Sequence, residues 1–225
     1  DHRAAGLDNL YIFTGTQATP DNIRKFHPNL IVNATGSGPL LPPIKGLMDN
    51  IDKEGGNVYS ILGMIHHIND FPQDLEGKKV AVIGGGAVGL DVVEFFAARK
   101  ADISIVEMMD QIGRDLDPVT KNDMKCQMKA HGVHQLTKTA LLEVKEHSFL
   151  VKGSEGEYEL PFDYGFVCLG MRAKGQLYPQ LLEAFADDDV EIINIGDSQR
   201  ARRIIDGTME GRNILYHLTQ RGYLD

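Results

Sequence analysis

The sequence predicts an α/β fold, on three observations. Short apolar runs at residues 30–34, 80–83, 103–107, 166–169 and 190–195 read as strands, and the first is apolar enough for a strand covered on both faces of a parallel sheet. Apolar residues between these runs recur at spacings of three and four, the period of a helix face. Residues 139–160 read instead as a set of short strands separated by turn-compatible segments, an antiparallel meander.

Taken in order, residues 8–14 read as a first short strand and residues 21–26 as a helical turn entered through Pro20-Asp21. Strand 30–34, Leu-Ile-Val-Asn-Ala, ends at Thr35-Gly36. The prolines within residues 39–43 lack amide donors and resist both helix and central strand, so this stretch reads as a crossing between domains. Residues 58–71 carry Ile61, Met64, Ile65 and Ile68 at helical spacing, with His66 and His67 toward solvent.

Strand 80–83, a glycine turn, helix 88–98 and strand 103–107 follow. The helix places Val88, Val92, Phe95 and Phe96 on one face, as a helix packed on a sheet requires. Asp117-Pro118 is an N-cap followed by proline at the first helical position, opening a helix that carries Met124 and Met128 and that Gly132 ends. Strands 139–144, 148–152 and 157–160 make the meander, with a turn at residues 153–156. Strands 166–169 and 190–195 come next, and a helix through Met209, Ile214, Leu215 and Leu218 closes the chain.

Composition narrows the function classes. With 225 residues, 42% hydrophobic and 24% charged, the chain has the make-up of a globular protein, not of a disordered or fibrous one. Net charge is −9, and Arg200, Arg202 and Arg203 are the one basic cluster, which disfavours nucleic acid as a partner. No apolar run approaches the roughly 20 residues of a membrane helix. No basic leader with an apolar stretch opens the chain, so the expected location is cytoplasmic. The first residue is not methionine, which suggests a start inside a larger protein. Cys126 and Cys168 form neither a CxxC pair nor a zinc set, and they read as buried small hydrophobes.

The sharpest constellation is Gly84-Gly85-Gly86-Ala87-Val88-Gly89, a GxGxxG directly after a strand and before a helix. In such a turn Gly84 allows the tight reversal, Gly86 lets backbone approach a pyrophosphate, and Gly89 lets helix and strand pack closely. Free amides at the helix start then hold the phosphates. Glu107 ends the following strand, where a carboxylate accepts hydrogen bonds from the adenine ribose hydroxyls and repels a 2′-phosphate. The expected ligand of this Rossmann unit is therefore NAD(H), with Arg114 leaving NADP(H) as the less favoured reading.

Several further segments resemble flavoproteins with two dinucleotide-binding domains, in which an NAD(P) domain interrupts an FAD domain. Ala34-Thr35-Gly36 resembles the crossing from the FAD to the NAD domain, and residues 166–170, ending in Gly170, resemble the return. Residues 193–197 resemble the late strand and Gly-Asp pair, Gly196-Asp197, whose aspartate bonds the ribityl chain of FAD. Residues 84–94, 113–117 and 195–203 are more specifically similar to the C-terminal portion of NADH-dependent 2-enoate and 2,4-dienoyl-CoA reductases, relatives of old yellow enzyme.

This resemblance implies an α/β fold in which a Rossmann-like NAD(P)-binding domain with a β-meander is inserted in a partial FAD-binding α/β domain. The implied division is residues 1–45 and 173–225 for FAD, and 46–172 for NAD(H). The first GxGxxG of the family, which holds the FAD pyrophosphate, is absent from residues 1–36. The FMN barrel and the cysteine cluster of the 4Fe-4S centre are absent too, so FMN and 4Fe-4S are expected only in a longer protein, whose remaining domains are the expected partners. A homo-oligomer is left open.

In the family, hydride passes from NADH to FAD, and electrons reach FMN to reduce an activated C=C bond. That chemistry rests on positioning, so no catalytic residue is expected here. His131, His134 and His147 read as surface residues, and no metal set is expected. A non-catalytic NAD(H)-binding sensor or assembly module is the alternative. A disulfide reductase would need neighbouring thiols, and a direct dehydrogenase would need a substrate domain with an acid-base residue.

Overall fold

The structure, a computed structural model, describes residues 9–222. It divides into two compact units, residues 37–172 and residues 9–36 with 173–222. In chain order the elements are α1 (Pro20–Arg24), β1 (Leu30–Asn33), β2 (Ser37–Pro39), α2 (Leu47–Asn50), β3 (Val58–Ser60) and α3 (Ile61–His66). Next come β4 (Lys79–Ile83), α4 (Ala87–Ala97), β5 (Asp102–Val106), α5 (Pro118–Ala130) and β6 (His134–Leu136). The meander is β7 (Ala140–Val144), β8 (Ser148–Gly153) and β9 (Gly156–Pro161), followed by β10 (Tyr164–Val167) and β11 (Met171–Ala173). The chain ends with α6 (Leu177–Ala184), β12 (Glu191–Asn194), a 3₁₀ turn at Gly196–Ser198, and α7 (Ile204–Gln220).

The unit of residues 37–172 is built on a five-stranded sheet in the order β3-β10-β4-β5-β6, parallel throughout. Strand alternation explains why its strands are apolar on both faces. Val80 and Val82 of β4, Ile103 and Ile105 of β5, and Phe166 of β10 join the core under the helices, with Phe96 of α4 and Met128 of α5. Their neighbours Ala81, Ile83, Val106 and Val167 point the other way, into a second core with Phe149 and Val151 of the meander. β8 pairs antiparallel with both β7 and β9. Residues 37–45 belong to this unit, because Leu41 and Ile44 pack on the second core and Lys45 bridges to Glu143.

Several elements depart from the sequence reading. Residues 58–71 are not one helix: Val58, Tyr59 and Ser60 pair with Gly165, Phe166 and Val167 as β3, and α3 begins only afterwards. Ser60 makes this switch, since its hydroxyl accepts from the Gly63 amide at 3.1 Å as the helix N-cap. As a result Ile65 and Ile68, expected on a buried face, are exposed. β6 was not anticipated; it is three residues long, mostly exposed, and held by pairing with β5. β2 and β11, neither anticipated, form a two-stranded ribbon that ends at Pro39, where the proline-rich stretch begins, and residues 40–43 form no helix or strand. Of the strand expected at residues 8–14, Asp8 lies outside the described residues and residues 9–14 form no strand. Cys126 is exposed and not buried, because it lies two positions beyond Met124 on α5, on the opposite side of the helix.

In the other unit β1 and β12 pair in parallel, Leu30 with Glu191 through Asn33 with Asn194. Its core is small: Ile31, Leu181 and Phe185, with α1 and α6 supplying neighbours such as Ile23 and Leu177. α6 was not read from the sequence. α7 is tied down by His217, whose Nε2 lies 2.6 Å from Glu191 Oε1, yet none of its residues is buried. Among the described residues no helix is long and apolar enough to cross a membrane.

Candidate dinucleotide site

The glycine turn follows β4 at the C-terminal edge of the parallel sheet, where open α/β sheets hold their ligands. Gly84 has φ of 106°, and a Cβ there would run into the carbonyl oxygen of Cys168, on the neighbouring strand end. At Gly89 a Cβ would strike the Gly84 carbonyl, so glycine here sets how closely α4 approaches β4. A Cβ on Gly86 would meet nothing within 4 Å. Gly86 is also the N-cap of α4, and it caps without a side chain. The first amides of α4 thus have no side-chain cap, and the surface at Gly86 is open.

Glu107 stands beside this turn at the end of β5. Its Oε2 accepts from the Gly85 amide at 2.7 Å and its Oε1 from the Met109 amide at 2.7 Å. The backbone of Glu107 is held as well, its N–H by the Leu136 carbonyl at 2.9 Å and its carbonyl by the Thr139 amide at 3.0 Å. β6, although short, thereby fixes the strand end that presents the carboxylate. Two clefts flank this edge. One of about 640 Å³ is lined by residues 135–137, Thr139 and the β8–β9 turn. The other, of about 240 Å³, is lined by Gln111, Ile112, Lys121 and Lys125 among others.

Gly170, with φ of 105°, lies past β10 on the same edge, and its carbonyl accepts from Leu40 N–H at 2.9 Å. Cys168 lies beneath the turn, its amide donating to the Ile83 carbonyl at 2.7 Å. Burial, with the Asp91 carboxylate adding to it, pushes the Cys168 thiol up to about 12, so it stays protonated and unreactive at neutral pH. His131, His134 and His147, read as surface residues, are all exposed. No cluster of three or more His, Cys, Asp or Glu suited to a metal exists among the described residues.

In the other unit, the parallel pairing of β1 and β12 runs to Asn33 with Asn194; Ala34, Thr35 and Gly36 follow one strand and Gly196 and Asp197 follow the other. Asp197 Oδ1 accepts from the Arg202 amide at 2.9 Å. The Gly196 amide donates to Glu210 Oε2 at 2.6 Å, and Arg202 Nη2 reaches Glu210 Oε1 at 2.5 Å. The Gly196 amide first, and then Arg202, hold the Glu210 carboxyl below its ordinary range. Beneath the turn, buried Ser198 donates to the Asn33 carbonyl, and Asn33 Nδ2 donates to Asn194 Oδ1 at 2.8 Å. Sequence reasoning passed over Asn33, Asn194 and Ser198. Two asparagines at matched strand ends were the available signal.

The family described as pyridine nucleotide-disulphide oxidoreductase matches residues 8–196. An NADH oxidase of Thermoanaerobacter brockii is 28% identical over 206 residues, which cover 91% of this chain and 30% of that protein. A metal reductase of Desulforamulus reducens is 28% identical, over 88% of this chain and 32% of that protein. A bilirubin reductase of Mediterraneibacter gnavus is 27% identical, over 88% and 28% respectively. The chain thus spans about a third of the length of these relatives. Among solved structures, histamine dehydrogenase from Rhizobium sp. 4-9 superposes with a TM-score of 0.74 at 15% identity, over 95% of this chain and 32% of that one. A 2-naphthoyl-CoA reductase superposes with a TM-score of 0.71 at 22% identity, over 87% and 28%. With its parallel sheet, glycine turn and match over most of its length, the chain belongs to the pyridine nucleotide-disulphide oxidoreductase family of flavin-dependent NAD(P)H oxidoreductases.

Proposed function

We propose that this chain is the NADH-receiving portion of a larger flavoprotein, with NADH seated on Gly84, Gly85, Gly86, Ala87, Val88 and Gly89 and its adenine ribose on Glu107. The observation that carries this reading is the pairing of an uncapped helix start with a carboxylate at the end of the next strand. The helix amides answer phosphate oxygens, and the carboxylate accepts from ribose hydroxyls while opposing a 2′-phosphate.

FAD is assigned in the same reading to Ala34, Thr35, Gly36, Gly196 and Asp197, with Gly170 at the return to that unit. The paired ends of β1 and β12 suit this assignment, and Asn33 Oδ1, buried without a hydrogen-bond partner, leaves an acceptor beside the turn. When bound, FAD accepts a hydride from NADH and passes electrons onward. The chain's own residues bind and orient: none is placed as an acid, a base or a nucleophile.

The acceptor at the end of the sequence is assigned to the longer protein. Relatives named for different acceptors, metal and bilirubin, match this chain at 28% and 27% identity. That similarity suits a shared electron-input portion, with acceptor choice elsewhere. Residues 84–94, 113–117 and 195–203 favour a reductase of activated C=C bonds, of the 2-enoate or dienoyl-CoA kind, with FMN and a 4Fe-4S centre in the remaining domains and a cytoplasmic location. Dye reduction by NADH, with FAD supplied to the longer protein, tests the assignment. Turnover supports it. NADH binding without turnover would favour a sensor or assembly module instead.

A further inference from the structure

We propose that Glu107 is also a positioning residue for the phosphate-binding turn. This inference rests on the nucleotide reading above and extends it: one carboxylate would both recognise the ribose and hold the backbone that meets the pyrophosphate. The chemistry it serves is that of a dinucleotide diphosphate.

The geometry is specific to Gly85. Its N–H donates to Glu107 Oε2 at 2.7 Å, and its carbonyl accepts from Gly113 N–H at 2.7 Å. Both backbone groups of the central glycine are thus held from the β5 side of the site. A Cβ on Gly85 would come within 3.1 Å of both Glu107 Oε2 and Ile112 Cγ1, so the carboxylate lies directly against the turn. Gly84 N–H is bound in turn by the Val106 carbonyl at 2.8 Å, one residue before Glu107. The turn is buried at Gly84 and Gly85 and opens only at Gly86, where the ligand would approach. A charge-assisted hydrogen bond to a buried amide is among the stronger single contacts. Its loss would leave the Gly85 N–H without a partner in a place water reaches poorly.

The consequence is that nucleotide selectivity and phosphate binding are coupled through one side chain. Exchanging Glu107 for a residue that tolerates a 2′-phosphate would loosen the turn that every dinucleotide needs.

A four-cornered titration separates the two roles. Wild-type chain and Glu107→Ala are each titrated with NADH and with NADH whose adenosine ribose lacks both hydroxyls. If Glu107 acts on the ribose alone, the two proteins bind the dideoxy form equally. The proposal expects Glu107→Ala to bind it more weakly by about fivefold or more. Hydrogen exchange of the Gly85 amide in ligand-free protein gives a second readout: protection should be lost in Glu107→Ala and kept in Glu107→Gln, which retains one oxygen in reach. Equal dideoxy affinities with unchanged Gly85 protection would overturn the positioning role while leaving the ribose role intact. Failure of the wild-type chain to bind NADH at all would instead overturn the nucleotide reading, and this inference with it.

Discussion

The two strand-end turns of this chain use the same parts and are supported very differently. At Gly84–Gly89 a parallel strand, a glycine turn and a carboxylate sit on a five-stranded sheet with a core on each face. At Gly196–Asp197 the sheet has two strands, and the buried core is Ile31, Leu181 and Phe185. α7 sharpens the contrast. Its residues Ile204, Ile205, Met209, Leu215 and Tyr216 are exposed, Ile204 by 88%, and none of the helix is buried. The unit of residues 37–172 thus has two buried cores, and the other unit one small one.

That comparison can be broken most forcefully in the larger core. Phe166→Ala removes a fully buried ring that stacks on Tyr59 and lies tilted against Phe96, and it should cost about 3–5 kcal/mol in urea or thermal unfolding. A loss below about 1 kcal/mol would show that the parallel sheet is not the stabilising element.

Glu107→Ala should weaken NADH binding by about tenfold or more without creating a preference for NADPH, because it removes an acceptor and supplies no cation. A fluorescence titration reads both ligands.

Asp163 tests the N-terminal edge of the same sheet. Its carboxylate accepts from the Lys79 amide at 2.8 Å and from Lys78 Nζ at 2.9 Å, and these contacts, the backbone one first, lower its pKa from 3.8. A carboxyl lowered on folding stabilises the fold fully above its ordinary value, and the contribution is lost as pH falls through the lowered one. Asp163→Asn should therefore be less stable than wild type near neutrality, by less than about 1 kcal/mol given the exposure of the pair. The difference should disappear in acid. Parallel melts at neutral and acid pH check the sign.

The smallest effect belongs to the other unit. Ile204→Ser should change the stability of this chain by no more than about 0.5 kcal/mol, since the side chain meets solvent. A larger loss would mean that the exposed side of α7 is already covered in solution.

How much of this was legible in the sequence follows the same division. β4, α4, β5 and the meander were readable because each carries its pattern locally: apolar strands, a glycine turn, helical spacing at Val88, Val92, Phe95 and Phe96. β3 and β6 were not, because each is three residues long and exists through pairing with β10 and β5. Val58 and Tyr59 favour a strand, but a run this short forms one only once Gly165 and Phe166 lie beside them. Within the site, the type and spacing of Gly84, Gly86, Gly89 and Glu107 were visible from the start. The bond from Gly85 N–H to Glu107 was not, since any residue but proline has an N–H and only folding brings this one to the carboxylate. Asn33, Asn194 and Ser198 were hidden for the same reason.

Equilibrium titration of this chain with NADH and with NADPH tests the central claim most directly. If NADH sits as proposed, it should bind the tighter, by about tenfold or more, because a carboxylate at Glu107 would accept from ribose hydroxyls and oppose a 2′-phosphate. Equal affinities, or tighter binding of NADPH, would contradict it.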